Sequence, residues 1–204
     1  EYTGFSQKSK KGVDQYCFQP DLYDLSRESL KTFEPAFRDE ELYEEGLEDL
    51  KDLIKQAHKL GLKVVLDLVY LHIGPNADIL KEFPDFVDWD AQGNMILGEW
   101  NFPLLNYGNP GLREYLWCNM TYYIGVLSAD GFRCDVGDQV PLDFWKEGIR
   151  RIRAIKPDAL MINEGVDPVY LTECFDANYA FPWHEAVYAV LSGSQPAAHI
   201  RKTH

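Results

Sequence analysis

No stretch of this sequence is apolar over the roughly eighteen residues a membrane-crossing helix needs, so no membrane-spanning segment is expected. No G-x-G-x-x-G or G-x-x-x-x-G-K motif follows any apolar run, and the usual backbone cradles for dinucleotides and nucleotide phosphates are missing. Cysteines are few and far apart: Cys17, Cys118, Cys134 and Cys174 form neither a C-x-x-C pair nor a Cys/His zinc spacing. Free, mostly buried thiols are expected, which leans toward a reducing, cytoplasm-like compartment. Cations are also scarce, with 20 Lys and Arg against 33 Asp and Glu and a net charge of −13. A phosphate backbone is bound by clustered cations, so no nucleic-acid partner is expected. The short basic cluster of Lys8, Lys10 and Lys11 reads as a solvated loop. There is neither an initiating Met nor a signal-peptide pattern, and both ends read as cuts through a larger domain.

The composition that remains is that of a globular domain, 46% hydrophobic and 26% charged. Aromatics make up 14%, enough for core packing and for flat faces that could stack on sugar rings. Residues 1–30 lack periodicity and read as a long loop. Leu42, Leu47, Leu50, Leu53, Ile54, Ala57 and Leu60 then form one stripe of an amphipathic helix that begins near Glu40 and ends at Gly61. The run LKVVLDLV over 62–69 reads as a strand buried on both faces. Pro and Gly punctuate residues 72–110, a long loop or reduced subdomain. Beyond it the pattern predicts a helix over 111–128, a strand over 132–136, a helix over 141–155, a strand over 159–164 and a short helix near Val169. A strand at 174–176 and a helix from Trp183 complete it. Alternating strands and helices predict an α/β fold with a parallel sheet, either an open doubly wound sheet or a closed barrel.

Polar residues cluster where the apolar strands end. Asp67 and His72 follow the first strand, Arg133 and Asp135 close the second, and Glu164 closes the third. Parallel strands bring such positions to one face, where barrel enzymes build their active sites. Arg133 and Asp135 are two apart and point the same way from a strand. An Arg beside a carboxylate favours its ionised form, as a nucleophile requires. Glu164 has no basic neighbour in sequence, and partial burial would favour the protonated form a general acid needs. Two carboxylates with opposed environments suit glycoside hydrolysis. Taken singly, an Arg-x-Asp is more often a structural ion pair, and carboxylates at a barrel mouth can also hold a divalent metal.

These residues resemble the motifs of the α-amylase superfamily, glycoside hydrolase family 13. Asp67-Leu68-Val69-Tyr70-Leu71-His72 is similar to its D-x-V-x-N-H motif, Gly131 to Asp135 match G-F-R-x-D, and Glu164 matches the Glu that closes the fifth barrel strand. Phe102-Pro103-Leu104-Leu105-Asn106, followed by Asn109-Pro110, and Asp14 to Pro20 resemble two looser segments. The resemblance implies part of a (β/α)₈ TIM barrel, about strands three to six with their helices and a long loop after strand three. It implies Asp135 as nucleophile and Glu164 as acid/base of a retaining hydrolase. Arg133 would orient Asp135, His72 would hydrogen-bond the sugar, and Asp67 would support the site. An α-glucan or α-gluco-oligosaccharide would be the substrate partner, and no cofactor is called for.

Four departures qualify the resemblance. Leu71 replaces an Asn that ligates calcium in many members, so no metal site is carried over. Val136, Gly137 and Asp138 follow Asp135 in place of a Lys-His pair. Lys10 sits roughly where a Tyr platform is expected. The family's third catalytic Asp has no counterpart, since Trp183-His184-Glu185 opens a helix and reads as structural. Four units cannot close a barrel, so the expectation is a longer parent enzyme and an inactive isolated fragment. The competing functional readings are a transglycosylase on the same site, a non-catalytic carbohydrate- or partner-binding barrel, and an unrelated metal-carboxylate barrel enzyme.

Overall fold

A computed structural model describes residues 40–77 and 79–202. The expected features at residues 1–30, including Lys8, Lys10, Lys11, Cys17 and the 14–20 segment, lie outside the described residues.

Helix α1 (Glu40–Lys59) ends at Gly61, whose φ of 74° is the left-handed conformation that closes a helix. Ile54 is buried, but Leu53 and Leu60 are 61% and 77% exposed. The expected stripe is thus too wide, because Leu53 and Leu60, seven residues apart, flank the buried line. Strand β1 (Val65–Leu68) follows. The segment between β1 and the next long helix holds the short helix α2 (Ile79–Glu82) and antiparallel bridges Val87 to Leu105, Trp89 to Met95 and Leu97 to Pro103. Helix α3 (Pro110–Gly125) starts one residue before its predicted position. Asn109 caps it by accepting hydrogen bonds from the Gly111 and Leu112 amides, and Pro110 occupies the first turn, where no amide is needed.

Strand β2 (Gly131–Cys134), helix α4 (Leu142–Ile155), strand β3 (Leu160–Asn163), helix α5 (Pro168–Glu173), strand β4 (Ala177–Asn178) and helix α6 (Phe181–Leu191) complete the units. β2 stops two residues early because Val136 turns into the left-handed region at φ 44°. The fourth strand lies later than 174–176, because the amides of Cys174 and Phe175 close α5 on the Tyr170 carbonyl.

All four strands are parallel and lie in chain order β1-β2-β3-β4. An open doubly wound sheet reverses its strand order at a switch point, and none occurs among the described strands. The core lies between the sheet and α3 and α4. Trp145 stacks on Tyr70 at 6.1 Å and meets Phe144 edge-on, over the buried Phe132 and Met161.

At the opposite edge from the strand ends, the carboxylate of Asp130 is buried just before β2. Burial pushes its pKa up, but hydrogen bonds with Lys156, the Val64 amide and His58, each 2.7 Å, outweigh this and hold it at about 2. A depressed carboxyl pKa stabilises the fold above the unfolded value near 4, and this is lost as pH falls toward 2. In urea titrations of the intact protein, Asp130→Asn is expected to remove about 2 kcal/mol of stability at pH 7, with the difference shrinking between pH 5 and 2. A pH-independent difference would rule out this role.

Candidate active site

The parallel register sets Asp67 of β1 beside Arg133 of β2, and Cys134 beside Asn163 of β3. Asp135 and Glu164 are each the next residue after their strand, so both emerge at the C-terminal edge of the sheet. Backbone bonds fix those exits: the Asp135 amide donates to the Leu68 carbonyl at 2.8 Å and the Glu164 amide to Cys134 at 3.0 Å.

Arg133 joins the acidic groups. Its Nη1 donates to Asp67 Oδ1 at 2.9 Å and to Asp135 Oδ1 at 2.6 Å, and its Nη2 pairs with Glu164 Oε2 at 2.5 Å. Its Nε donates to the Tyr179 hydroxyl at 3.2 Å, and its guanidinium carbon lies 5.6 Å from the centre of that ring. Burial disfavours the charge, but the bonds to Asp67, Tyr179 and Asp135 outweigh it, and the pKa rises above its ordinary value. One planar guanidinium bridges Asp135 and Glu164, so their bonded oxygens are roughly 7 Å apart at most.

This corrects one expectation. Glu164 is not free of basic neighbours: it shares the Arg133 guanidinium with Asp135 and accepts a 3.1 Å bond from the Val136 amide. The reason is cross-strand register, which brings Arg133 to a residue 31 positions away in sequence. Positive φ is a strained state for a β-branched residue. At Val136 it accompanies an amide directed at Glu164, while the next amide, of Gly137, donates to the Glu164 carbonyl at 3.1 Å.

His72 is buried, stacks on Phe102 at 5.2 Å and touches Trp100 at 5.8 Å. Burial lowers its pKa, against an opposing pull from the charge of Asp135. Its Nδ1 is enclosed and lacks a hydrogen-bond partner. Asp67 is the most exposed of the group, at 58% of its side chain. Leu71 is buried in the core and its side chain carries no oxygen, so the donor set at this position does not fit calcium. Among the described residues, no group of three or more His, Cys, Asp or Glu is arranged to hold a metal ion.

Sequence reasoning missed Tyr179, the Val136 amide and the Trp100–Phe102 pair beside His72. Tyr179 had a usable signal: it directly follows β4, the position that Asp135 and Glu164 occupy after β2 and β3.

A parallel sheet in chain order, with polar residues gathered at its C-terminal edge, is the arrangement in which α/β barrel enzymes build their active sites. No protein-family model matches the chain. It is 30% identical over 160 residues to a cyclomaltodextrinase of Geobacillus thermopakistaniensis, a match covering 68% of this chain and 27% of that protein. Among solved structures it resembles an α-amylase from Lactobacillus plantarum (TM-score 0.70, 30% identity, 76% of this chain and 41% of that one). It also resembles a maltogenic α-amylase from Thermotoga neapolitana (TM-score 0.69, 29% identity, 76% and 36%). The chain belongs to the α-amylase superfamily, glycoside hydrolase family 13. It spans well under half the length of the curated relatives it matches.

Proposed function

We propose that this chain is the central part of a longer (β/α)₈ barrel, with β1 to β4 as strands three to six and residues 72–110 as a reduced subdomain. The full-length protein would be a retaining α-glycoside hydrolase acting on α-glucans or α-gluco-oligosaccharides. The observation that carries this reading is the Arg133 guanidinium holding two carboxylates, from the ends of adjacent strands, with their bonded oxygens no more than roughly 7 Å apart. The substrate class is supported by relatives bearing the names cyclomaltodextrinase and maltogenic α-amylase.

In the first step Asp135 attacks the anomeric carbon and the glycosidic C–O bond breaks. Glu164, in its protonated form, passes its proton to the departing oxygen. In the second step water attacks the same carbon. Its proton returns to Glu164, the bond to Asp135 breaks, and two inversions give net retention. A sugar hydroxyl in place of water would give transfer on the same site. Arg133 orients Asp135 through its 2.6 Å bond, with Asp67 and Tyr179 holding the guanidinium in place. For Glu164 to carry a proton, its contact with Arg133 must loosen when the sugar enters, leaving the guanidinium with Asp135. His72 would hydrogen-bond the sugar in the reacting subsite.

The test is to trap the intermediate. Incubating the full-length protein with 5-fluoro-α-glucosyl fluoride, which forms an ester faster than it loses one, is expected to add one fluoroglucosyl mass to the peptide containing Asp135. Attachment at another residue, or turnover with inverted products, would overturn the assignment.

A further inference from the structure

Trp100 sits at the tip of a tight turn in the segment between β1 and α3. The Gly98 amide donates to the Phe102 carbonyl at 2.8 Å, the Asn101 amide to Gly98 at 3.0 Å, and Asn101 adopts φ 61°. The turn is fastened to the segment after β1, since the Ile73 amide donates to Pro103 at 2.9 Å. Turns of this kind favour small polar residues, and a large aromatic at the tip has no role in forming one. The residue is 46% exposed, and its ring is inclined at 47° to that of His72. Trp89, Trp117 and Trp145 each donate their indole N–H to a backbone carbonyl. Among the described residues, Trp100 makes no such bond. The buried His72 beside it also has a ring nitrogen without a partner. A flat apolar face and a free donor thus lie beside a histidine on which the charge of Asp135 acts.

We propose that Trp100 is a sugar-binding platform: its ring covers the C–H face of one glucosyl unit of an α-glucan, and its N–H donates to a hydroxyl of that chain. An aromatic ring against a pyranose buries apolar area on both sides, while the indole edge stays wet and able to hydrogen-bond. This deepens the hydrolase reading, on which it rests for the identity of the ligand.

The test measures binding and does not depend on turnover. Maltopentaose is titrated by calorimetry into the full-length protein carrying Asp135→Asn, alone and combined with Trp100→Ala or Trp100→Phe. Circular dichroism and thermal unfolding verify that each variant is folded. The Kd is expected to rise about tenfold in the Ala variant, or about 1.4 kcal/mol, and to stay within about threefold in the Phe variant. The tryptophan fluorescence change on binding is expected to shrink in both. An unchanged Kd in a folded Trp100→Ala protein overturns the platform. So does an equal loss in the Phe variant, which retains an apolar ring. Failure of the hydrolase reading would look different: maltopentaose bound with the same Trp100 dependence, but with no covalent adduct at Asp135.

Discussion

In the full-length protein, Asp135→Asn lowers kcat/KM on an α-glucoside by about 10⁴-fold or more, and Glu164→Gln by roughly 10² to 10⁴-fold. Both replacements preserve size and remove a chemical capacity. An amide in place of Asp135 cannot form the ester, so its loss is expected with every leaving group. An amide in place of Glu164 cannot deliver a proton, so its loss depends on the leaving group. A dinitrophenyl group, which departs unprotonated, is expected to recover much of the first step, and azide to recover much of the second. The fold should tolerate either change. Arg133 keeps Asp67, Tyr179 and one carboxylate as partners in each case, and the backbone bonds that fix the strand ends are untouched. Thermal unfolding run alongside separates lost chemistry from lost structure. Near wild-type rates in both variants would end the assignment.

Gly131→Ala is expected to leave the protein largely unfolded or insoluble, with a cost above about 3 kcal/mol. A Cβ at Gly131 would lie 1.9 Å from the Leu160 carbonyl oxygen, its paired residue on β3. The φ of 153° is also one that L side chains rarely adopt. No easy relaxation exists, because β2 is bonded to β1 on one side and β3 on the other. Gly61→Ala is the natural control. Its φ is also positive, at 74°, but a Cβ there would meet nothing within 4 Å. A cost of about 1 kcal/mol is expected for it, from backbone conformation alone. Equal effects at the two sites, read from soluble yield and thermal midpoint, would mean that the strand contact does not matter.

The strand ends were legible in sequence because local patterns reveal where an apolar run stops, and parallel topology then places those stops at one edge. Arg133 beside Asp135 could be read for the same local reason. What could not be read is whatever depends on register between strands. The contacts of Arg133 with Asp67 and Glu164 span 66 and 31 residues, and no local pattern encodes them. Electrostatic roles inferred for Glu164 from its sequence neighbours therefore missed its principal partner. Tyr179 was lost to a smaller error. The buried Cys174 and Phe175 looked like strand and are in fact the closure of α5, so the true strand and the tyrosine after it were passed over.

The indole N–H of Trp145, wholly enclosed among Tyr70, Phe144 and Phe175, donates to the Gly137 carbonyl at 2.8 Å, and the Gly137 amide in turn holds the Glu164 backbone. The interior and the rim that carries the proposed catalytic pair are in this way one mechanical assembly, two hydrogen bonds apart. A repacking campaign aimed only at heat tolerance around that indole would move the turn that aims the Glu164 carboxylate, so on the proposed role of Glu164 any thermal hardening there is expected to change turnover as well.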